Sequence, residues 1–367
     1  MAEVPSLFET FLSNIRPTEE QIEHYIEGHQ ILRDRLNDHD SVADFYVADF
    51  LQGSYARSTA VRPQQDEKSD VDIAFVTSLD KDKYNPAEAM EKCEPFLDEY
   101  YEDQWSRNDR SYKIEKDQIE MDLVLTASPS EATKTTVKAL SSLDVETGVK
   151  DSETHQIADA LGQSPTGSDD WRDEPLDIPD RRLDTWEKTH PLATIDYTID
   201  KNSRTHGHYV NVVKAIKWWR RTRTADIDGP TSYPLEHIVG ICCPNNIDNM
   251  AKCVTLTLEQ IENEFKSQAA LGTTPKLPAH DLPNVDVLDR IDDEDFVAFY
   301  DEVVDAAEIA RDALDREDET ASCEQWRELF GEAFPKYGSD DSDSGEEGAV
   351  ALGSSSAATG ASDHQFA

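Results

Sequence analysis

The sequence predicts an α+β protein, with a mixed sheet and helices in its first half and helices alone in its second. Two patterns carry the prediction. Apolar runs bounded by turn residues recur at 43–51, 71–77, 111–116 and 119–126, and a repeat of three and four dominates from residue 208 onward. A third observation bounds the folded part: after Tyr337 the chain is Ser, Gly, Ala and acid, too poor in apolar groups to offset the entropy of ordering it. The expected units are a catalytic core over residues 1–180, a helical unit over 181–337 and a disordered acidic tail over 338–367.

Taken in order, the first helix spans 18–36, where Ile22, Tyr25, Ile26, His29, Leu32 and Leu36 fall at helical spacing behind Thr18 as N-cap. The strand 43–51 runs straight into the turn signal Gln52-Gly53-Ser54, and the strand 71–77 follows Ser69-Asp70. A helix over 86–101 carries Pro86 in its first turn, where a missing N–H costs nothing. Strands at 111–116 and 119–126 flank the turn Lys116-Asp117-Gln118. From 127 to 179 Ser, Thr, Asp, Gly and Pro prevail, with a weak helical repeat near 154–161, so a long excursion or insertion is expected. Helices follow at 208–223, 233–241, 254–271 and 293–316, and 323–334 adds a last turn or two.

Composition narrows the function. Of 367 residues, 77 are Asp or Glu against 35 Lys and Arg, and the formal charge of −42 leaves no large basic face to displace counterions from nucleic acid or anionic membrane. Six Trp, twelve Tyr and twelve Phe mark a folded chain rather than a solvating polyanion. Acid spread along the whole chain, with Lys scarce, suits a halophilic protein kept hydrated in concentrated salt; the alternative is an ordinary acidic mesophile. Five Cys in a chain of ample core size argue against a disulfide framework, and no stretch nears the roughly eighteen apolar residues of a membrane span. A soluble, cytoplasmic protein is expected.

The chemistry concentrates in three pieces: Gly53-Ser54 at a strand-to-helix turn, Asp70-Val71-Asp72 entering an apolar strand, and Asp122 inside the strand 119–126. Carboxylates at i and i+2 of a strand point to one face. Asp122 sits among apolar neighbours, where an unpaired charge is costly. On adjacent strands the three converge, and two carboxylates at ~4 Å repel by roughly 4 kcal/mol at an effective dielectric of ~20. A hard cation resolves that repulsion; oxygen ligands without His or Cys select Mg²⁺, with Mn²⁺ as the alternative. Two such ions about 4 Å apart activate a hydroxyl and neutralise a pyrophosphate leaving group. Gly53 lets backbone amides approach a phosphate, and Ser54 adds a hydroxyl. Singly, a Gly-Ser turn, an Asp-x-Asp and a strand Asp are ordinary structure; it is their order and contexts that point to an active site.

The text Gly53-Ser54-Tyr55-Ala56-Arg57-Ser58-Thr59, then Ser69-Asp70-Val71-Asp72-Ile73, then Asp122, resembles the polymerase-β-like nucleotidyltransferases. More narrowly it is similar to the cGAS/DncV-like enzymes (CD-NTases) of bacterial and archaeal anti-phage systems (CBASS), over residues 15–330. The resemblance implies a polymerase-β-like core with a C-terminal helical domain. It also implies that Asp70, Asp72 and Asp122 hold two Mg²⁺, and that the product is a cyclic di- or trinucleotide second messenger made from ATP and other nucleoside triphosphates.

On the helix 208–223, Val212, Val213, Ile216 and Trp219 form a buried face while Lys214, Lys217 and Arg221 lie on another. That stripe is either a solvated face or a triphosphate clamp, and Lys214 is favoured slightly over Lys217 as the phosphate ligand. Similarity to the family assigns Ser232 to phosphate and Tyr233 to stacking on the base. His237, Cys242, Cys243 and Cys253 resemble the zinc insert of animal cGAS in composition, but they follow the Ser-Tyr pair instead of preceding it, so buried thiols are expected.

Two other functions fit the same residues. An oligoadenylate or RNA-tailing polymerase needs a nucleic-acid track that so few cations outside 201–223 do not supply. An inert regulatory or antitoxin-like module is opposed by three intact acids. The partners expected from the resemblance are nucleoside triphosphates and a downstream effector reached through the product. The tail ending Gln365-Phe366-Ala367 resembles termini conjugated to targets by ubiquitin-like machinery, against the plainer reading of a solubilising tail. No membrane and no stable nucleic-acid partner are expected.

Overall fold

The computed structural model describes residues 3–63, 67–116, 118–142, 174–224 and 226–338. Most of the excursion expected at 127–179, with its weak repeat at 154–161, lies outside these residues, as does all but the first residue of the expected tail.

The first half of the chain forms α1 (Pro5–Ile15), α2 (Glu19–Asp38), α3 (Asp40–Ala43), β1 (Tyr46–Gln52), α4 (Gly53–Ala56), β2 (Ser69–Thr77), α5 (Pro86–Glu91), α6 (Glu94–Tyr101), β3 (Trp105–Arg107), β4 (Tyr112–Lys116), β5 (Ile119–Thr126) and α7 (Glu131–Ser141), and all of these but α1 contribute to the first core. Thr18 closes α2 with a reciprocal cap: its side chain accepts from the Gln21 amide, and the Gln21 side chain accepts from the Thr18 amide at 2.9 Å. The single helix expected over 86–101 is two, parted at Lys92 and Cys93, because Pro95 has no N–H with which to continue the ladder.

The five strands run in the order β1-β2-β5-β4-β3, with β2 and β5 parallel at the centre and the other pairs antiparallel. Val71, Ile73, Ala74, Phe75 and Val76 of β2 are all buried, as a strand covered on both faces requires. Two segments of the expected excursion are ordered. Ser130 caps α7 by accepting from the Thr133 amide, and β6 (Leu176–Asp180) pairs with β7 (Thr185–Thr189) in a hairpin.

The second half continues through α8 (Pro191–Arg204), α9 (Tyr209–Arg223), α10 (Ser232–Cys242), α11 (Met250–Leu271), the short strands β8 (Pro278–Ala279) and β9 (Leu282–Asp286), α12 (Asp293–Asp315) and α13 (Glu319–Phe330). Val212, Val213, Ile216 and Trp219 form the buried face of α9, as their spacing predicts. Chain order and packing part at the N-terminus. Helix α1 buries Phe8, Phe11, Leu12 and Ile15 in the second core, with Phe8 edge-on to Trp326 at 4.9 Å and Phe11 stacked on Phe330 at 4.4 Å. The first residues of the chain are thereby fastened to α13.

Among the buried polar residues, His29 stands without compensation. His29 of α2 is fully buried beside Tyr55, and neither ring nitrogen has a hydrogen-bond partner among the described residues. Burial, with a smaller push from Arg33, holds its pKa down at about 3. The folded state therefore keeps His29 neutral, while the unfolded chain takes up a proton below its ordinary value of 6.5. Stability is full above that pH and falls as pH drops toward 3, since the unfolded state binds more protons across that window. His29→Leu is expected to raise stability by about 1 kcal/mol at neutral pH and by more in acid. Thermal unfolding at pH 7.5 and pH 5 checks this, and a variant as acid-labile as the parent would sink the assignment.

Candidate active site

The turn from β1 into α4 shapes the floor of the site. Gly53 has φ +70, and a Cβ at that position would sit inside the Asp72 carboxylate. Glycine is thus required twice, for the left-handed backbone and for the close approach of β2. On β2, Asp72 lies opposite Gln52 of β1 on one side and opposite Asp122 of β5 on the other. Asp70 shares the face of Asp72, two residues away.

The three carboxylates each offer an oxygen within 4.8 Å of the others. Asp70 stands at the exposed rim, and Asp72 and Asp122 are half-buried. Burial and then mutual repulsion push Asp70 and Asp72 well above the usual carboxylate range, with Arg57 holding Asp72 back. Asp122 is raised by burial too, against hydrogen bonds that its Oδ1 accepts from Ser111 Oγ at 3.0 Å and Asn108 Nδ2 at 3.2 Å. An arrangement that stores like charge in this way is built for a cation. Its donor set is oxygen alone, so it fits a hard divalent ion and not zinc.

A cavity of about 590 Å³ opens beside the trio, lined by Ser54, Asp70, Lys217, Arg221, Thr231 and Ser232 among others. Ser232 opens α10 with φ +45, a left-handed conformation that costs a non-glycine residue about 1 kcal/mol. Its neighbour Tyr233 faces a second cavity of about 300 Å³, shared with His190, Thr194, His280 and Arg290. Gly53, Ser54, the three aspartates, Lys217 and Ser232 are thus brought together, whereas Tyr233 lines the second cavity and not the larger one.

Lys214 is not among them. It is 4% exposed and lines a separate small pocket with Arg16, Tyr25 and Tyr55. Burial first, then Arg16 and Lys217, draw its pKa down to about 7, so its charge is weak as well as hidden. The geometry favours Lys217 over Lys214. His237 packs against the rings of Tyr233 and His280, while Cys242, Cys243 and Cys253 are buried free thiols, Cys243 and Cys253 with sulfurs 3.7 Å apart.

Arg57 and Glu236 had no site role in the sequence reading. Glu236 of α10 accepts from Lys217 Nζ at 2.6 Å and from Arg57 Nε at 2.9 Å, and Lys217 also donates to the Thr59 carbonyl at 3.3 Å. Burial alone would raise the Glu236 carboxyl, but Arg57 and Lys217 overcome it and hold it at about 2. The available signal was an acid inside the apolar run Leu235-Glu236-His237-Ile238-Val239, where a charge is costly unless paired.

Residues 2–136 match the Second Messenger Oligonucleotide or Dinucleotide Synthetase (SMODS) domain. The fold is shared with the Bradyrhizobium diazoefficiens CD-NTase CdnG solved with GTP, at a TM-score of 0.63 and 13% identity, covering 89% of this chain and 94% of that one. E. coli MS115-1 CdnC solved with ATP matches at a TM-score of 0.63 and 15% identity, covering 91% and 100%. In sequence the chain is 38% identical over 351 residues to a probable cyclic AMP-AMP-GMP nucleotide synthase of Salmonella paratyphi B, covering 91% of this chain and 92% of the relative. The chain belongs to the CD-NTase family. This CD-NTase is also 36% identical over 360 residues to a cyclic AMP-AMP-GMP synthase of Enterobacter hormaechei subsp. hoffmannii, covering 92% and 93%. It is 26% identical to a cyclic AMP-AMP-AMP synthase of an Acinetobacter species, over 90% of this chain and 85% of the relative. The CD-NTase is therefore a nucleotidyltransferase of the second-messenger oligonucleotide class, with a polymerase-β-like core and a helical C-terminal region. Among the described residues no helix is long and apolar enough to cross a membrane.

Proposed function

We propose that this CD-NTase joins two AMP units and one GMP unit, from ATP and GTP, into a cyclic trinucleotide. The observation that supports this product is the 38% and 36% identity to cyclic AMP-AMP-GMP synthases across more than nine-tenths of the chain, against 26% to a cyclic AMP-AMP-AMP synthase.

Asp70, Asp72 and Asp122 would hold two Mg²⁺, which neutralise triphosphate charge and ease deprotonation of a ribose hydroxyl. The chain's own residues do the positioning. Ser54 and Ser232, both lining the larger cavity, would donate hydroxyls to phosphate oxygens, and Lys217 in the same lining would add a point charge. Tyr233 offers a ring face to the donor base. Asp122, whose pKa burial raises, would ease removal of the proton from the attacking hydroxyl. Rate enhancement then rests on orientation and charge placement rather than on a protein nucleophile.

In this reading residues 1–180 carry the chemistry and 181–337 bind substrate. The product serves a downstream effector in anti-phage defence, in a salt-rich cytoplasm to which the charge of −42 is suited.

Labelled ATP and GTP, incubated with the protein and divalent cation in concentrated salt, are expected to give one nuclease-resolved cyclic product with two adenylates per guanylate. Label on RNA ends or in open oligoadenylate would replace this reading with the tailing function. No incorporation with any divalent cation would favour the inert module.

A further inference from the structure

One turn after Ser232, α10 carries Glu236, only 3% exposed. A buried carboxylate needs one cation to offset its desolvation; this one holds two, and they come from separate parts of the chain. Arg57 ends the segment that begins with Gly53-Ser54, and Lys217 lies on α9. A single carboxylate therefore joins the turn beside the acidic trio, the helix that carries the phosphate lysine and the helix that opens with Ser232.

The hydrogen bonds say what this junction does. An ammonium has three N–H donors. Lys217 spends two of them on Glu236 and on the Thr59 carbonyl, and it lines the larger cavity, where the third is left to face a ligand. Arg57 is fixed in a similar way: its Nε is tied to Glu236 while its guanidinium stands 5.6 Å from the Tyr233 ring and within electrostatic reach of Asp72. Without Glu236, two long side chains would keep their charge and lose their aim.

We propose that Glu236 is a positioning residue for nucleotidyl transfer, which points Lys217 at the triphosphate and holds Arg57 between Asp72 and Tyr233. This rests on the reading that Lys217 meets the triphosphate. Glu236 also balances charge, since it offsets two cations beside a site for a polyanion. Removing its charge should strengthen ground-state attraction for a triphosphate while spoiling the orientation needed for transfer, because only interactions specific to the transition state raise the rate.

The test separates affinity from rate. In Glu236→Gln, a non-reactive ATP analogue titrated calorimetrically with the whole protein and divalent cation is expected to bind about 3-fold tighter or more, while the single-turnover rate at saturating ATP falls about 10- to 100-fold. A residue that merely supports the fold would lower the active fraction and leave the affinity of the folded protein unchanged. Unchanged affinity, or affinity and rate lost together, would overturn the proposal. Should Glu236→Gln fail to fold, Glu236→Asp keeps the charge but cannot reach both cations, so the single-turnover rate is expected to fall about 10-fold with analogue affinity near that of the parent, and a parental rate would overturn the proposal.

Coupling to Lys217 supplies the second arm. In a Lys217→Met background the gain in affinity from Glu236→Gln should shrink to the share carried by Arg57, and simple additivity would count against action through Lys217. Lys217→Met alone must weaken analogue binding. If it binds the analogue as the parent does, the phosphate role of Lys217 fails, whatever Glu236 does.

Discussion

Asp72→Asn is expected to lower nucleotide incorporation about a thousandfold or more and, in the same protein, to raise thermal stability when divalent cations are chelated. Both effects come from one cause. Asp72 and Asp122 face each other across the parallel pair β2 and β5, with carboxylate oxygens within 4.8 Å, a separation at which two charges repel by roughly 3 to 4 kcal/mol at an effective dielectric of ~20. Burial and this repulsion raise Asp72 from 3.8 to about 6. Its folded pKa lies above its unfolded one, so the folded state binds more protons between these values. The metal-free enzyme therefore loses stability as pH rises through that window. An amide removes the repelling charge without changing the shape of the side chain, and the gain should be larger at pH 8 than at pH 5. Divalent cation reverses the order, since the parent gains binding energy that the variant cannot. Calorimetric unfolding with chelator and with Mg²⁺, beside an incorporation assay, gives all the quantities. A variant that turns over normally, or that is less stable than the parent in chelator at pH 8, would remove the trio from its assigned place.

The same trio shows why sequence spacing was informative here. A strand fixes side-chain direction by parity, so Asp70 and Asp72 had to share a face, and Asp122 inside an apolar run had to be paired or metal-bound. The strand 119–126 was legible to its last residue because an apolar strand bounded by a polar turn admits one register. The Thr18 cap was equally local. What spacing could not give is which angle of a helix meets a cleft. Lys214 and Lys217 differ by about 60° around α9, and that rotation decides between a separate small pocket and the larger cavity. Contacts between distant segments were beyond reach for a different reason: Arg57 and Glu236 are 179 residues apart, and nothing local records that they will meet. Helix α1, like Glu236 within its apolar run, is an omission that the text itself could have prevented, since Phe8, Phe11, Leu12 and Ile15 fall at i, i+3, i+4 and i+7.

Gly53→Ala is expected to cost about a hundredfold or more in activity although it removes no functional group. Two penalties act at this position and can be measured apart. The backbone stands at φ +70, where a Cβ costs about 1 kcal/mol whatever surrounds it. The second penalty is collision, because the new methyl would occupy the space of the Asp72 carboxylate. Asp72 is held by its register to Gln52 on one strand and Asp122 on another, so β2 has no freedom to withdraw. Either the carboxylate swings away from Asp122 or the turn into α4 opens and carries Ser54 with it, and a displacement near 1 Å at a reacting centre costs about a hundredfold. Gly272, at the end of α11, isolates the first penalty: it has φ +67 and nothing within 4 Å of where its Cβ would be. Gly272→Ala should therefore lose stability comparable to the backbone cost and keep full activity. If the two variants prove alike in turnover, the close approach of β2 to the glycine turn has no part in the chemistry; if only Gly53→Ala is inactive while both unfold at similar temperatures, the loss belongs to the displaced aspartate and not to a weakened fold.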